Sequence, residues 1–219
     1  KFSPPFIRMR NPVDIFGMSR RAIAFMKKNH AAKKPFFIQL SYHALHYSEN
    51  ALETTKKEYQ ARGGRRNEKE ITRAALAENL DTGVGMLMKA LDELKAADNT
   101  YFIYMSDNGA GGGKGNGSLR GGKGGVWEGG IRVPLMIRWP GLTKPGTECG
   151  AMVTSQDFFP TLAEGFGHRA GDLPKHDGVS LMPQLRNPKT RPTRKTLYWH
   201  YPHYYPRMTP GSAVREENW

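Results

Sequence analysis

The chain has 219 residues and is strongly basic, with 33 lysines and arginines against 20 aspartates and glutamates, for a formal charge of +13. Its 38% hydrophobic content excludes a wholly disordered tail, and no apolar run reaches the roughly 18–20 residues of a membrane-spanning helix. The lone Cys149 excludes an intrachain disulfide framework and an all-cysteine zinc site.

In chain order, Ile15, Met18, Ile23, Phe25 and Met26 approximate helical spacing, and the run closes on Lys27-Lys28-Asn29-His30, cations suited to a helix C-terminus. A helix is expected over residues 14–30. Phe36-Phe37-Ile38-Gln39-Leu40-Ser41-Tyr42 is short, apolar and aromatic, as a strand buried on both sides would be. His43 and His46 follow at its end. Residues 53–70 are crowded with charge, including Arg62-Gly63-Gly64-Arg65-Arg66, and read as a solvated loop with fraying helical ends. Leu76, Leu80, Val84, Leu87, Leu91 and Leu94 then recur every three or four residues, which places one apolar stripe on a long helix ended by a turn at Asp98-Asn99.

Thr100-Tyr101-Phe102-Ile103-Tyr104-Met105 reads as the next strand and runs into Ser106-Asp107-Asn108-Gly109. Strand, long helix and strand together predict an α/β fold with a mostly parallel sheet flanked by helices. Residues 133–139 predict a further strand, 157–162 a short helical turn, 168–196 a connection, and 197–201 the start of a smaller C-terminal sheet. The expected organisation is therefore a main α/β domain over 1–196 and the beginning of a small subdomain over 197–219.

Ligands of open parallel sheets gather at the carboxyl ends of strands, where His43, His46, Asp107 and Asn108 are all expected. Asp107 and Asn108 offer two hard oxygen donors, which suit Ca²⁺ or Mg²⁺ better than a thiophilic metal. An isolated Asp-Asn-Gly is equally a simple turn. The glycine-rich residues 109–130 fail the phosphate-loop pattern, because Lys123 is followed by Gly124 rather than Ser or Thr. They also fail the dinucleotide fingerprint, since Gly113-Lys114-Gly115-Asn116-Gly117 has neither the spacing nor a helical sequel. Ordering glycine at this density is costly unless the backbone must pass close to something, so the segment is either mobile or wraps a ligand.

The run Gly122-Lys123-Gly124-Gly125-Val126-Trp127-Glu128-Gly129-Gly130-Ile131-Arg132-Val133-Pro134, placed after Ser106-Asp107-Asn108-Gly109, resembles the sulfatases, arylsulfatase-A-like members in particular. Ala44-Leu45-His46 looks like the family's A-P-H element, with Leu45 and Ser48 standing where relatives commonly have proline. Asp157-Phe158-Phe159-Pro160-Thr161 resembles its D-x-x-P-T helix, Asp177-Gly178-Val179-Ser180-Leu181 its D-G-x-S-L turn, and Trp199-His200-Tyr201-Pro202-His203 its C-terminal part.

The resemblance implies an alkaline-phosphatase-like fold and hydrolysis of sulfate esters on a sulfated small molecule or carbohydrate. It makes Asp107 and Asn108 ligands of Ca²⁺ or Mg²⁺, gives Lys123 a grip on a sulfate oxygen, and gives His46 contact with the sulfate and the proton for the departing alcohol. His43 is the less favoured histidine, and His200, His203, Tyr204 and Arg207 are candidates for the border of the pocket. The family's C/S-x-P/A-x-R block, whose Cys or Ser becomes formylglycine, has no counterpart around Cys149 or in Ser3-Pro4-Pro5-Phe6-Ile7. The chain is thus expected to be the C-terminal part of a longer enzyme with its nucleophile before Lys1, inactive by itself, and the family suggests a periplasmic or secreted location. A phosphatase or phosphonate monoester hydrolase of the same superfamily is the alternative enzyme. A basic nucleic-acid-binding module is the alternative outside enzymes.

Overall fold

A computed structural model describes residues 14–46, 50–63, 67–112, 115–191, 194–204 and 209–217. The chain divides into two compact units, residues 1–99 and 100–219.

The first unit is helical. Helix α1 (Ile15–Ala31) covers the predicted span and carries Lys28 and His30 in its last turn. It lies along the long helix α3 (Glu68–Glu93) where Gly83 leaves room: a Cβ there would come within 2.6 Å of the Ile15 side chain and 3.1 Å of the Ser19 hydroxyl. Ile15, Ala51, Ala75, Leu76 and Leu80 form the core, with Phe16, Tyr42, Ala44 and Tyr59 packed against it. Asn67 caps α3 reciprocally, its side chain accepting from the Glu70 N–H while the Glu70 carboxylate accepts from the Asn67 N–H. The helix stops one turn before Asp98-Asn99, at Lys95 with φ 53°, and Asp98-Asn99 closes a following 3₁₀ turn.

Two expectations change here. The charged stretch 53–70 contains helix α2 (Glu53–Ala61) instead of a loop. Composition hid it because what holds α2 is tertiary: the buried Asn79 amide of α3 donates to the Thr55 hydroxyl at 3.0 Å and accepts from the Leu52 N–H at 3.0 Å. Lys56 adds ion pairs to Glu53 and Glu68. Residues 64–66, with Arg65 and Arg66, lie outside the described residues. Residues 36–42 alternate between half-buried and exposed instead of being buried on both sides, and among the described residues they carry no strand ladder. An extended segment becomes a strand only when another backbone meets its N–H and C=O groups.

Among its described residues the second unit holds two ladders, both antiparallel. Strand β1 (Phe102–Met105) pairs with β2 (Leu135–Arg138), Phe102 opposite Arg138 and Met105 opposite Leu135. Because antiparallel neighbours can be joined by a loop without a crossover helix, the intervening glycine-rich segment returns the chain directly beside β1. Within that segment a single helical turn, α4 (Glu128–Ile131), precedes β2. Beyond β2, the buried Trp139 stacks on Tyr101 with ring centroids 3.7 Å apart. Helix α5 (Phe158–Gly165) and the short α6 (Met182–Arg186) follow, the latter inside the stretch predicted as connection. Strands β3 (Thr196–Tyr201) and β4 (Gly211–Glu216) pair from Thr196–Glu216 to Tyr201–Gly211, so the expected small C-terminal sheet contains a second strand that its polar sequence did not announce.

Between α5 and α6 sits a polar lock. The fully buried Asp157 carboxylate receives Arg194 on both oxygens, at 2.6 and 3.0 Å, and the N–H groups of Thr154 and Val179, each at 2.8 Å. Thr161 donates to the Asp157 carbonyl and accepts from the Leu181 N–H at 2.8 Å. Burial alone would raise the Asp157 pKa; the Arg194 hydrogen bonds and then the Thr154 and Val179 N–H groups outweigh it, and the carboxyl lies below its ordinary value. The D-x-x-P-T and D-G-x-S-L elements are therefore two halves of one buried joint.

Candidate active-site loop

Strand β1 delivers Ser106, Asp107 and Asn108 at its end. The Asn108 N–H donates to Asp107 Oδ1 at 2.9 Å, and Ser106 Oγ donates to the Asn108 carbonyl at 3.1 Å. This is the local turn that Asp-Asn-Gly favours, and the Asp107 side chain is exposed at it.

The glycine-rich segment then folds back on that turn through its own backbone. The Gly109 N–H donates to the Gly130 carbonyl at 3.0 Å, the Lys123 N–H to the Ala110 carbonyl at 3.2 Å, and the Gly129 N–H to the Arg120 carbonyl at 2.7 Å. A Cβ on Gly109 would overlap the Gly129 carbonyl oxygen, so these backbones approach as only glycine permits. Asn116 staples the fold: its amide oxygen accepts from the Ala110 N–H at 2.7 Å, and its amide nitrogen donates to the Ala110 and Gly121 carbonyls. Residues 109–130 are thus closed on themselves by their own hydrogen bonds, an arrangement that neither expectation described. Its consequence is that Lys123, sixteen positions after Asp107 in sequence, has its backbone bonded three residues from it.

Sequence reading missed the residues that brace this loop. Glu128 receives Arg132 at 3.1 Å and Arg215 at 2.5 Å, tying the loop to β4 across 87 positions. The Arg120 guanidinium lies 3.9 Å over the half-exposed Trp127 ring. The motif itself was the available signal for Glu128; nothing local marks Arg215 as its partner. On the C-terminal sheet, His200 Nδ1 is 2.9 Å from Ser212 Oγ, His203 meets Tyr201 edge-on, and Tyr204 is exposed. Arg207 lies outside the described residues.

The histidines belong to the first unit. His43 and His46 are brought together by a tight turn, their rings 5.1 Å apart, with the His46 N–H donating to the His43 carbonyl at 3.2 Å. Leu45 stands between them at φ 64°, a backbone angle proline cannot take. The turn is thus built differently from one spelled with proline at that place. Ser48 lies outside the described residues.

Among the described residues, no group of three or more His, Cys, Asp or Glu side chains could hold a metal, and no helix is long and apolar enough to cross a membrane. Asp107 and Asn108 fit part of a hard-cation shell, since both present oxygen and one Asp107 oxygen is left beyond the Asn108 bond.

The sulfatase family model matches residues 17–168, and the model described as N-sulphoglucosamine sulphohydrolase, C-terminal, matches residues 122–219. The chain is 34% identical to the steryl-sulfatase of Mus musculus over 94% of its length and 34% of that protein's, and 32% identical to arylsulfatase A of Homo sapiens over 91% and 38%. It superposes on the crystal structure of Ps i-CgsB in complex with k-i-k-neocarrahexaose with a TM-score of 0.76 at 32% identity, covering 84% of this chain and 41% of that one. The chain therefore spans little more than a third of the curated relatives it matches. With its α/β architecture of the alkaline-phosphatase-like type, it belongs to the sulfatase family.

Proposed function

We propose that this chain forms the C-terminal part of a sulfate monoester hydrolase whose formylglycine nucleophile is supplied by sequence before Lys1. The observation that carries the proposal is the closed glycine loop, which brings the Lys123 backbone within three residues of the Asp107-Asn108 turn. Asp107 and Asn108 would hold one side of a Ca²⁺ or Mg²⁺ ion, which when bound supplies positive charge to a sulfate oxygen. Lys123 holds a second oxygen and offsets the charge that builds on the ester oxygen as its bond to sulfur breaks. His46 is assigned, from the family resemblance, the proton given to the departing alcohol.

The substrate class is a sulfated carbohydrate or sulfated small molecule, supported by the neocarrahexaose bound to Ps i-CgsB and by the steroid named in steryl-sulfatase. Glu128, Arg132 and Arg215 act by positioning the loop.

The test uses the enzyme with its upstream sequence in place. Lys123→Ala is expected to lower kcat/KM on 4-nitrophenyl sulfate by about 10²–10³-fold. His46→Ala is expected to lose more on an alkyl sulfate, whose alcohol needs a proton to leave, than on the nitrophenyl ester, by about tenfold or more. Full activity of Lys123→Ala, or an equal loss on both esters for His46→Ala, would remove the corresponding assignment. The 219-residue chain alone is expected to release no phenol.

A further inference from the structure

The charge of the first unit is segregated. Residues 15–48 contain no aspartate or glutamate, yet hold Arg20, Arg21, Lys27, Lys28, Lys33 and Lys34. All six are exposed. On α1 the four helical cations share one face, in two layers about 10 Å apart along the axis, with the small exposed Ala24 and Ala31 beside them. The opposite face buries Ile15, Ser19, Ala22 and Met26. Helix α3 of the same unit is built otherwise, with acids and bases interleaved as in Glu68-Lys69-Glu70 and a pair such as Lys89–Glu93.

A favourable interaction with the helix dipole accounts for Lys28 in the last turn. It does not reach Arg20 and Arg21 a turn and more earlier, nor Lys33 and Lys34 beyond the helix end. Arg21 pairs with the Asp14 carboxylate at 2.6 Å, but no carboxylate stands in sequence among the other five cations; such like charges repel one another, and an extended polyanion laid along the face relieves that repulsion while releasing its own counterions.

We propose that this face of α1, with Lys33 and Lys34, is a binding surface for a sulfated polysaccharide chain. The choice of a sulfated polyanion over a nucleic acid rests on the sulfatase reading above; the existence of a polyanion surface rests only on the charge pattern.

Heparin is the probe, with unsulfated hyaluronan and a 20-base-pair DNA duplex as comparisons, and Kd is measured against salt concentration. Changing Lys27, Lys28, Lys33 and Lys34 together to Gln is expected to weaken heparin binding by about tenfold or more and to flatten the slope of log K against log salt. A control with Lys144→Gln, Lys175→Gln and Lys189→Gln, exposed lysines of the other unit, is expected to stay within about twofold of wild type. Unchanged affinity in the quadruple variant overturns the surface. DNA or hyaluronan binding as tightly as heparin, through the same lysines, overturns the sulfated class. Turnover of 4-nitrophenyl sulfate read in parallel reports on the sulfatase reading alone and is expected to be unchanged in the quadruple variant.

Discussion

Gly109→Ala is expected to destabilise the second unit by about 3 kcal/mol, at the upper end of what overpacking costs. The added Cβ overlaps the Gly129 carbonyl oxygen, a backbone atom that cannot swing aside as a side-chain tip would. Relief requires breaking the Gly109 N–H bond to Gly130, and with it the register that sets Lys123 beside Ala110. Hydrogen exchange is expected to show the Gly109, Lys123 and Gly129 amides losing protection together, and ester turnover by the complete enzyme to fall with them. A mobile linker would absorb one methyl group with a change within about 0.5 kcal/mol. That result, with unaltered exchange, would mean the loop does not preorganise the lysine.

The second large effect concerns the Asp157 lock. Arg194→Met is expected to cost about 3–5 kcal/mol at neutral pH, since it leaves a fully buried carboxylate with two backbone N–H groups and no cation. The pH dependence has a definite sign. Asp157 is held below its ordinary pKa when folded, so its contribution is complete above the unfolded carboxyl value of about 3.9 and is lost as pH falls through the folded value. Urea unfolding from pH 7 downward is expected to show wild type and Arg194→Met converging as acid protonates Asp157. An apolar pair, Asp157→Leu with Arg194→Met, is expected to recover part of the loss. A constant gap between wild type and Arg194→Met down to strongly acid pH would show that Asp157 is not the group that Arg194 stabilises.

How far such features can be read before folding depends on the length over which each is encoded. Helices α1 and α3 were legible because an apolar stripe repeats within a few residues, and β1 and β2 because apolar and aromatic residues cluster between turn signals. Helix α2 was not, because its sequence is polar and its stability comes from Thr55 meeting Asn79 across 24 positions. Glycine density in residues 109–130 says that the backbone can approach something closely but not what. The partner turned out to be the loop's own backbone, with Asn116 as the staple. Glu128 gained meaning only through Arg215, which nothing nearby in sequence announces. The antiparallel pairing of β1 with β2 was likewise hidden, since a strand run reads the same in either direction. The proposed site residues came from the motif, and the fold adds the physical reason for its glycines.

The most direct test of the sulfatase reading compares 4-nitrophenyl sulfate with 4-nitrophenyl phosphate on the complete enzyme. The leaving group is identical, so the ratio of kcat/KM values reports only how the site treats the transferred group. Selectivity for the sulfate of about tenfold or more, diminished in Lys123→Ala, is the expected result. Equal or preferential turnover of the phosphate would contradict the account and assign the loop to a phosphoryl-transferring member of the superfamily.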